Sequence, residues 1–342
     1  MKKKTKQILS ALSVLAIALT AVAGYGYHIF LSPNLKLTEK VYLYIDRDDT
    51  PDSVYTKLQQ LIYPSNLQGY QWLCALKPPQ TTHTGRYQIT PTDNMLSIYK
   101  RLTRGQQSPV KVTFNNLRTS AQLAARIGEQ LMIDSIEIVT RLNDSNFCAK
   151  MGYNCQTIVC LFLPNTYELY WNISADKLFE RMQKEHQHFW NESRLHQAKA
   201  IGFTPVEVSI IASIVEEETN QTAERPIVAG LYINRLHRRM PLQADPTIKF
   251  ALQDFGLKRI LNTHLTVDSP YNTYLHAGLP PGPIRIPTPK TLDQVLNYTR
   301  HSFLYMCAKE DFSGSHNFAS SLAQHQINAR KYWNALNKRK IF

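Results

Sequence analysis

The most conspicuous pattern along the chain is an uninterrupted apolar stretch near its start. From Gln7 to Leu35 there is no Asp, Glu, Lys or Arg. Ile8 to Phe30 is long enough, at about 1.5 Å per helical residue, to cross a hydrocarbon layer of ~30 Å. It follows the basic flank Met1-Lys2-Lys3-Lys4-Thr5-Lys6. The positive-inside tendency therefore predicts a cytoplasmic tail over residues 1–7, a transmembrane helix over 8–30 and all later residues on the far side. Ala21-Val22-Ala23 imitates a leader-peptide cleavage site. The apolar character nevertheless continues through Tyr25, Tyr27, Ile29 and Phe30, aromatics suited to an interfacial belt, so a retained anchor in the cytoplasmic (inner) membrane is expected. Anchored or cleaved, the body works outside the cytoplasm.

Beyond the anchor the period changes. Val41–Ile45 reads as a strand, 52–61 and 70–76 as helices, Gly85–Ile89 as a strand and 95–102 as a helix. Together they make a small α+β module over 31–107, closed by the polar break Gly105-Gln106-Gln107-Ser108. The strand Val110–Phe114 opens a larger α+β domain over 108–342, helical with loops as far as Arg194, where the apolar run Leu161-Phe162-Leu163 stops at Pro164. Neither internal repeats nor low-complexity segments interrupt it.

The clearest helix start follows. Thr204 is a cap residue, Pro205 takes the first helical position and Glu207 stands three residues past the cap. At about 100° per residue, Val206, Ile210, Ile211, Ile214 and Val215 gather on one face, with Ala212 and Ser213 elsewhere. Three successive carboxylates end the helix and are turned apart: Glu218 falls nearest the apolar face, Glu216 roughly opposite and Glu217 on the margin. A carboxyl at the end of an apolar stripe is partly desolvated, which raises its pKa toward the working pH and makes it a general-acid candidate. The competing reading of the same run is a solvated acidic helix end.

Composition narrows the partners. Lys and Arg total 39 against 26 Asp and Glu, a formal net charge of +13 over 342 residues. Such a balance favours nucleic acid, an anionic membrane face or an acidic polymer. The export signal and the lack of zinc-finger, helix-turn-helix or aromatic RNA-binding signatures exclude nucleic acid. Five cysteines, Cys74, Cys148, Cys155, Cys160 and Cys307, contain no C-x-x-C pair. They read either as buried free thiols or, in an oxidising compartment, as a local bridge from Cys148 to Cys155 or Cys160. His264, His276, His316 and His325 lack ligand spacing and no G-x-S-x-G elbow occurs, so neither a metal, another cofactor nor acyl transfer is expected.

Downstream, a periodic segment from Glu224 to Leu236 leads into Met240–Thr247, Ser269–Tyr274 and the rigid Gly278-Leu279-Pro280-Pro281-Gly282-Pro283. These segments offer Asn234, Gln243, Tyr271, Asn272, Thr273 and Tyr274, planar polar and aromatic groups of the kind that bind sugars and that also satisfy turn backbones. The terminal Asn337-Lys338-Arg339-Lys340 cluster reads as a solvated end.

In order, Ala212-Ser213-Ile214-Val215-Glu216-Glu217-Glu218-Thr219, Glu224-Arg225, Ile233-Asn234-Arg235-Leu236, Leu242-Gln243-Ala244-Asp245-Pro246-Thr247 and Tyr271-Asn272-Thr273-Tyr274, followed by Gly278–Ile284, resemble the YceG-like family of endolytic murein transglycosylases. The resemblance covers roughly Leu161 to the C-terminus. It implies an N-terminal transmembrane helix, a LysM-like module and a YceG-like catalytic domain. It implies further that the second glutamate of an E-x-E-T element, here Glu218, is catalytic, and that Asn234, Gln243, Asp245, Asn272 and Thr273 contact substrate, to which Tyr274 is added from the loop composition. Glu217 departs from the lysine frequent in relatives and puts a like charge near the acid. His316, Phe318, Leu322 and His325 match a family pattern, while Ala319 and Ser320 do not.

The implied partners are peptidoglycan glycan strands, the inner membrane and glycan synthases such as penicillin-binding proteins. The implied reaction is lytic cleavage between N-acetylmuramic acid and N-acetylglucosamine, leaving 1,6-anhydro ends and limiting nascent glycan length. Two alternatives stand beside it: a hydrolase pairing Glu218 with Asp245, Asp268 or Glu224, and a non-catalytic wall-binding scaffold.

Overall fold

The apolar N-terminal stretch forms one helix, Lys2–Phe30, which takes in the basic flank as well. In this computed structural model, which describes residues 2–33, 35–78 and 83–339, its apolar side chains are exposed along almost its full length. A helix that is apolar all round and covered by no protein fits a single-pass membrane anchor. Met1 of the flank and Lys340 of the C-terminal cluster lie outside the described residues.

The chain divides into two units. The first is Met1–Val112 with Gln130–Met132 and Tyr167–Ile173. Its strands Val41–Ile45 and Gly85–Ile89 pair antiparallel with Leu43 opposite Tyr87. The helices Pro51–Gln59, Pro64–Leu76 and Met95–Thr103 cover them, burying Leu43, Ile45, Leu58, Tyr87, Ile89 and Ile98 together. Each start is written locally. Thr50 caps Ser53 N with Pro51 next, and Asn94 and Ser97 close a capping box. The second helix begins six residues before the expected 70, because Pro64 occupies its first turn. This helix also fixes the end of the anchor. Asn66 Nδ2 donates to the carbonyls of His28 and Ile29, each at 3.2 Å, and Trp72 lies against Tyr25 and Phe30. Gly69 makes the approach possible, since a Cβ there would stand 2.3 Å from Ile29 Cγ2.

The second unit, Thr113–Glu129, Ile133–Thr166 and Ser174–Phe342, is mainly helical. The strand Val110–Phe114 pairs with Asn165–Leu169, a strand that forms just after Pro164 where the sequence pattern read as loop. Tyr305–Ala308 and His316–Ala319 make a separate antiparallel pair. The core gathers around the Pro205–Glu218 helix, against Arg225–His237, Pro289–Leu296 and Asp245–Leu252. That helix departs from a one-sided pattern: every residue from Val208 to Glu216 is buried. Ser213, expected away from the core, donates to Ile210 O at 2.7 Å and accepts from Ile284 N at 3.0 Å. Ser213 and Glu216 are met by Ile284, Arg285 and Thr288, just past the Pro- and Gly-rich run, a layer that helical periodicity cannot foresee.

All five cysteines are free thiols. Cys148 Sγ donates to Leu142 O at 3.4 Å, and burial first, with neighbouring Cys155 second, pushes its thiol up to about 11. Cys160 is fully buried and pushed up to about 12 by burial.

Candidate active site

The Pro205–Glu218 helix starts where its sequence says. Thr204 Oγ1 accepts from Glu207 N at 3.2 Å, and Glu207 Oε2 accepts from Thr204 N at 2.7 Å. At its other end the three carboxylates meet three environments. Buried Glu216 accepts from Thr288 N and Oγ1 at 2.9 and 3.0 Å and lies 3.4 Å from Arg285. Glu217 is clamped by Arg118 at 2.9 and 3.0 Å and by Arg285 at 2.8 Å. Among the described residues no ion pair reaches Glu218. Its Oε2 accepts from the hydroxyl of buried Tyr232 at 3.1 Å.

Glu218 keeps part of its surface on a cleft, yet atoms crowd its carboxyl from most sides. Burial is the first cause that pushes it up to about 7. The negative charge of Asp245 adds to the rise, while the Tyr232 hydrogen bond and the positive fields of His316 and Arg235 oppose it. The like charge that matters is therefore Asp245, not Glu217, whose charge two arginines hold. A carboxyl near 7 carries its proton about half the time at neutral pH and can give and retake it.

Two hollows meet the carboxyl. The larger, of about 640 Å³, is lined by Glu217, Glu218, Asp245, Lys249, Trp333 and others. The smaller, of about 160 Å³, is lined by Glu218, Tyr232, Arg235, Gln243, Asp245 and Tyr274. Of the residues named from sequence, the structure thus brings Gln243, Asp245 and Tyr274 to Glu218. Tyr274 donates its hydroxyl to Asp245 Oδ1 at 2.5 Å, and burial first, with Asp245 second, raises that phenol.

Asn234, Asn272 and Thr273 line neither hollow. Asn234 Nδ2 donates to His301 O at 2.8 Å and Phe303 O at 3.1 Å. Asn272 is fully buried, donating to Leu265 O and Val267 O at 2.9 and 2.8 Å and accepting from Tyr274 N at 3.0 Å. Thr273, also buried, accepts from Ala244 N at 3.0 Å through Oγ1 and from Gln243 N at 3.0 Å through its carbonyl. Asn272 and Thr273 fasten the loops that carry Gln243, Asp245 and Tyr274, while Asn234 ties its helix to the 301–303 segment. Buried amides are held where they satisfy backbone groups. Asp268 is exposed and lines neither hollow. Glu224 accepts from His316 N at 2.9 Å and stands 2.9 Å from its Nδ1.

Sequence reasoning passed over Tyr232 and Arg235. The Arg235 guanidinium donates to Leu304 O at 2.6 Å, Leu242 O at 2.8 Å and Gln243 Oε1 at 3.3 Å, bracing the wall of the smaller hollow. Their spacing of three on one helix was the available signal. Among the described residues no set of three His, Cys, Asp or Glu gathers as a metal would need.

The description of the YceG-like family matches residues 43–331. The endolytic murein transglycosylase of Bacillus subtilis (strain 168) is 25% identical over 288 residues, covering 80% of this chain and 79% of that protein. Its namesake in Streptococcus pneumoniae (strain D39) is 25% identical over 356 aligned positions, covering 93% of this chain and 64% of that one, so this chain spans somewhat under two thirds of the streptococcal protein. The crystal structure of a YceG-like protein from Listeria monocytogenes matches with TM-score 0.55 at 24% identity, over 84% of this chain and 99% of that one, a likeness of fold.

Proposed function

The chain belongs to the YceG-like family, and from that membership together with its cleft-facing acid we propose that it is a membrane-anchored lytic transglycosylase of peptidoglycan. The observation that carries this reading is Glu218, a carboxyl pushed up to about 7 and facing two hollows. Protonated Glu218 donates to the oxygen linking N-acetylmuramic acid to N-acetylglucosamine, and that bond breaks as positive charge develops at the muramyl anomeric carbon. The carboxylate so formed takes the proton of the muramyl C6 hydroxyl, whose oxygen bonds to the same carbon. A 1,6-anhydro ring closes, Glu218 is protonated again, and no water enters the balance. Tyr232 steadies the carboxylate stage and Asp245 favours the protonated one.

In this reading the catalytic domain is 108–342 and stands outside the cytoplasm, the N-terminus lies inside, and the module over 31–107 is a LysM-like holder of glycan. Cleavage within strands limits nascent glycan length beside glycan synthases. The names borne by the Bacillus and Streptococcus relatives support the reaction. Gln243, Asp245 and Tyr274 are the substrate contacts, Asn272 and Thr273 position them, and Asn234 holds the 301–303 segment to its helix.

Mass spectrometry of purified glycan digested by the chain tests the reading. Anhydro-muramyl ends are expected and absent with Glu218→Gln, whereas a fully active Glu218→Gln protein would dismiss the site. A second reading is favoured by one observation, that Asp245 lines both hollows with Glu218. A hydrolase using the two carboxylates would leave reducing ends bearing added water.

A further inference from the structure

The larger hollow carries more positive charge than cleavage of a neutral sugar linkage needs. Lys249, Lys258 and Arg259 line it together with Glu218 and Asp245. Lys249 stands four residues past Asp245 on the Asp245–Leu252 helix, so both project from one face. Lys258 and Arg259 lie on the exposed loop beyond it. Elsewhere in this unit Arg118, Arg194 and Arg285 meet carboxylates at 2.9, 2.7 and 2.8 Å. Among the described residues, no hydrogen bond or ion pair engages the side chains of Lys249, Lys258 or Arg259. Of the acids in the same hollow, Glu217 is already matched by two arginines, and Asp245, whose carboxylate accepts from the neutral Tyr274 hydroxyl, offsets at most one of the three cations.

Unpartnered cations grouped in a cleft raise the local concentration of anions. The same hollow is lined by Trp333, 64% exposed, with Tyr332 and Leu336 beside it on the Leu322–Lys338 helix. An exposed indole at a polar cleft offers a flat apolar face for a sugar ring. The lining thus holds groups that suit saccharide and groups that suit carboxylate. Resting on the lytic reading of the site, we propose that Lys249, Lys258 and Arg259 form a subsite for the free carboxylates of the peptide borne on muramyl residues, so that the cleft selects stem-bearing glycan over stripped glycan.

The test uses the full chain carrying Glu218→Gln in detergent micelles, titrated calorimetrically with two oligosaccharides of equal length, one bearing peptide stems and one stripped by an amidase. Three exposed ion pairs, each worth roughly a factor of two, give about tenfold tighter binding of the stem-bearing ligand, weakening as salt is added. Adding Lys249→Gln, Lys258→Gln and Arg259→Gln brings that ligand down to the affinity of the stripped one. Adding Lys249→Arg and Lys258→Arg, which keep the charge, leaves the preference in place. Equal binding before the charges are removed overturns the proposal, as does a preference that survives their removal or a loss of both ligands alike. Cleavage is read separately on the unaltered chain. If it cuts neither substrate while the binding preference holds, the lytic reading falls and the anion subsite stands.

Discussion

Glutamine at position 218 keeps the size of the side chain and an oxygen that accepts from Tyr232, but it has no charge to desolvate. Glu218 rises from an ordinary 4.5 to about 7 in the folded chain, a difference of about 3 kcal/mol at roughly 1.4 kcal/mol per pKa unit. Its contact with cleft water relieves part of this, which sets the lower bound near about 1 kcal/mol. Because the folded pKa is the higher one, the native state binds more protons than the unfolded chain between these two values. Stability of the unaltered protein therefore falls as pH rises through that window, and the full penalty is present above about 7. Glu218→Gln removes only this contribution. Its stability relative to the parent is constant below about pH 4, climbs through the window and levels off about 1–3 kcal/mol higher above about pH 7. Denaturant unfolding of both proteins in the same micelles, from about pH 4 to about pH 8, yields the difference curve. A flat difference, or one that falls with pH, would refute the claim that the fold holds this carboxyl protonated. The same substitution lowers glycan cleavage by about 10²- to 10⁴-fold, so the acid contributes to turnover what it subtracts from stability.

Three further outcomes follow from the same geometry. Asp245→Asn removes the like charge facing Glu218, so the pH above which the rate falls moves down. Loss of cleavage at every pH would instead point to Asp245 as a second catalytic carboxylate. Arg285→Met strips a 10% exposed cation from Glu216 and Glu217 and costs about 3–5 kcal/mol in urea unfolding, as expected for a buried pair left half complete. Gly69→Val drives a side chain into Ile29 at the end of the anchor and costs about 1–3 kcal/mol, read from thermal unfolding by the emission of Trp72; an unchanged transition would mean the anchor end is not packed there.

Local chemistry was legible in the residues themselves. The strands Val41–Ile45, Gly85–Ile89 and Val110–Phe114 stand at the bounds read from sequence, the first as a continuous β-branched and aromatic run and the other two with such residues at alternate positions. The Pro205–Glu218 helix starts at its cap because Thr204, Pro205 and Glu207 act on groups within one turn. That the three glutamates are turned into different surroundings was legible for the same reason, since helical rotation is a property of the chain alone.

What lies opposite a helical face is another matter. Periodicity located the apolar side of the Pro205–Glu218 helix but could not tell that Thr288 and Arg285 close over Glu216, 72 and 69 positions away in sequence terms from Glu216 itself. The polar loop residues divide for the same cause. Asn272 and Tyr274 are two positions apart and equally suited to a sugar, yet one amide is buried against Leu265 and Val267 while the other side chain reaches Asp245. Composition states what a side chain is able to bond with. Only the packed chain decides which of those partners arrives first.

By itself, then, the order of residues determined the apolar N-terminal helix, the capped start of the Pro205–Glu218 helix and the family motif, all set by interactions within a few residues. The tertiary structure decided that Asp245, rather than Glu217, raises Glu218, that Tyr232 bonds to it, and that three unpartnered cations share its cleft. Those facts depend on desolvation and on charges from distant segments, and both exist only once the chain has closed around them.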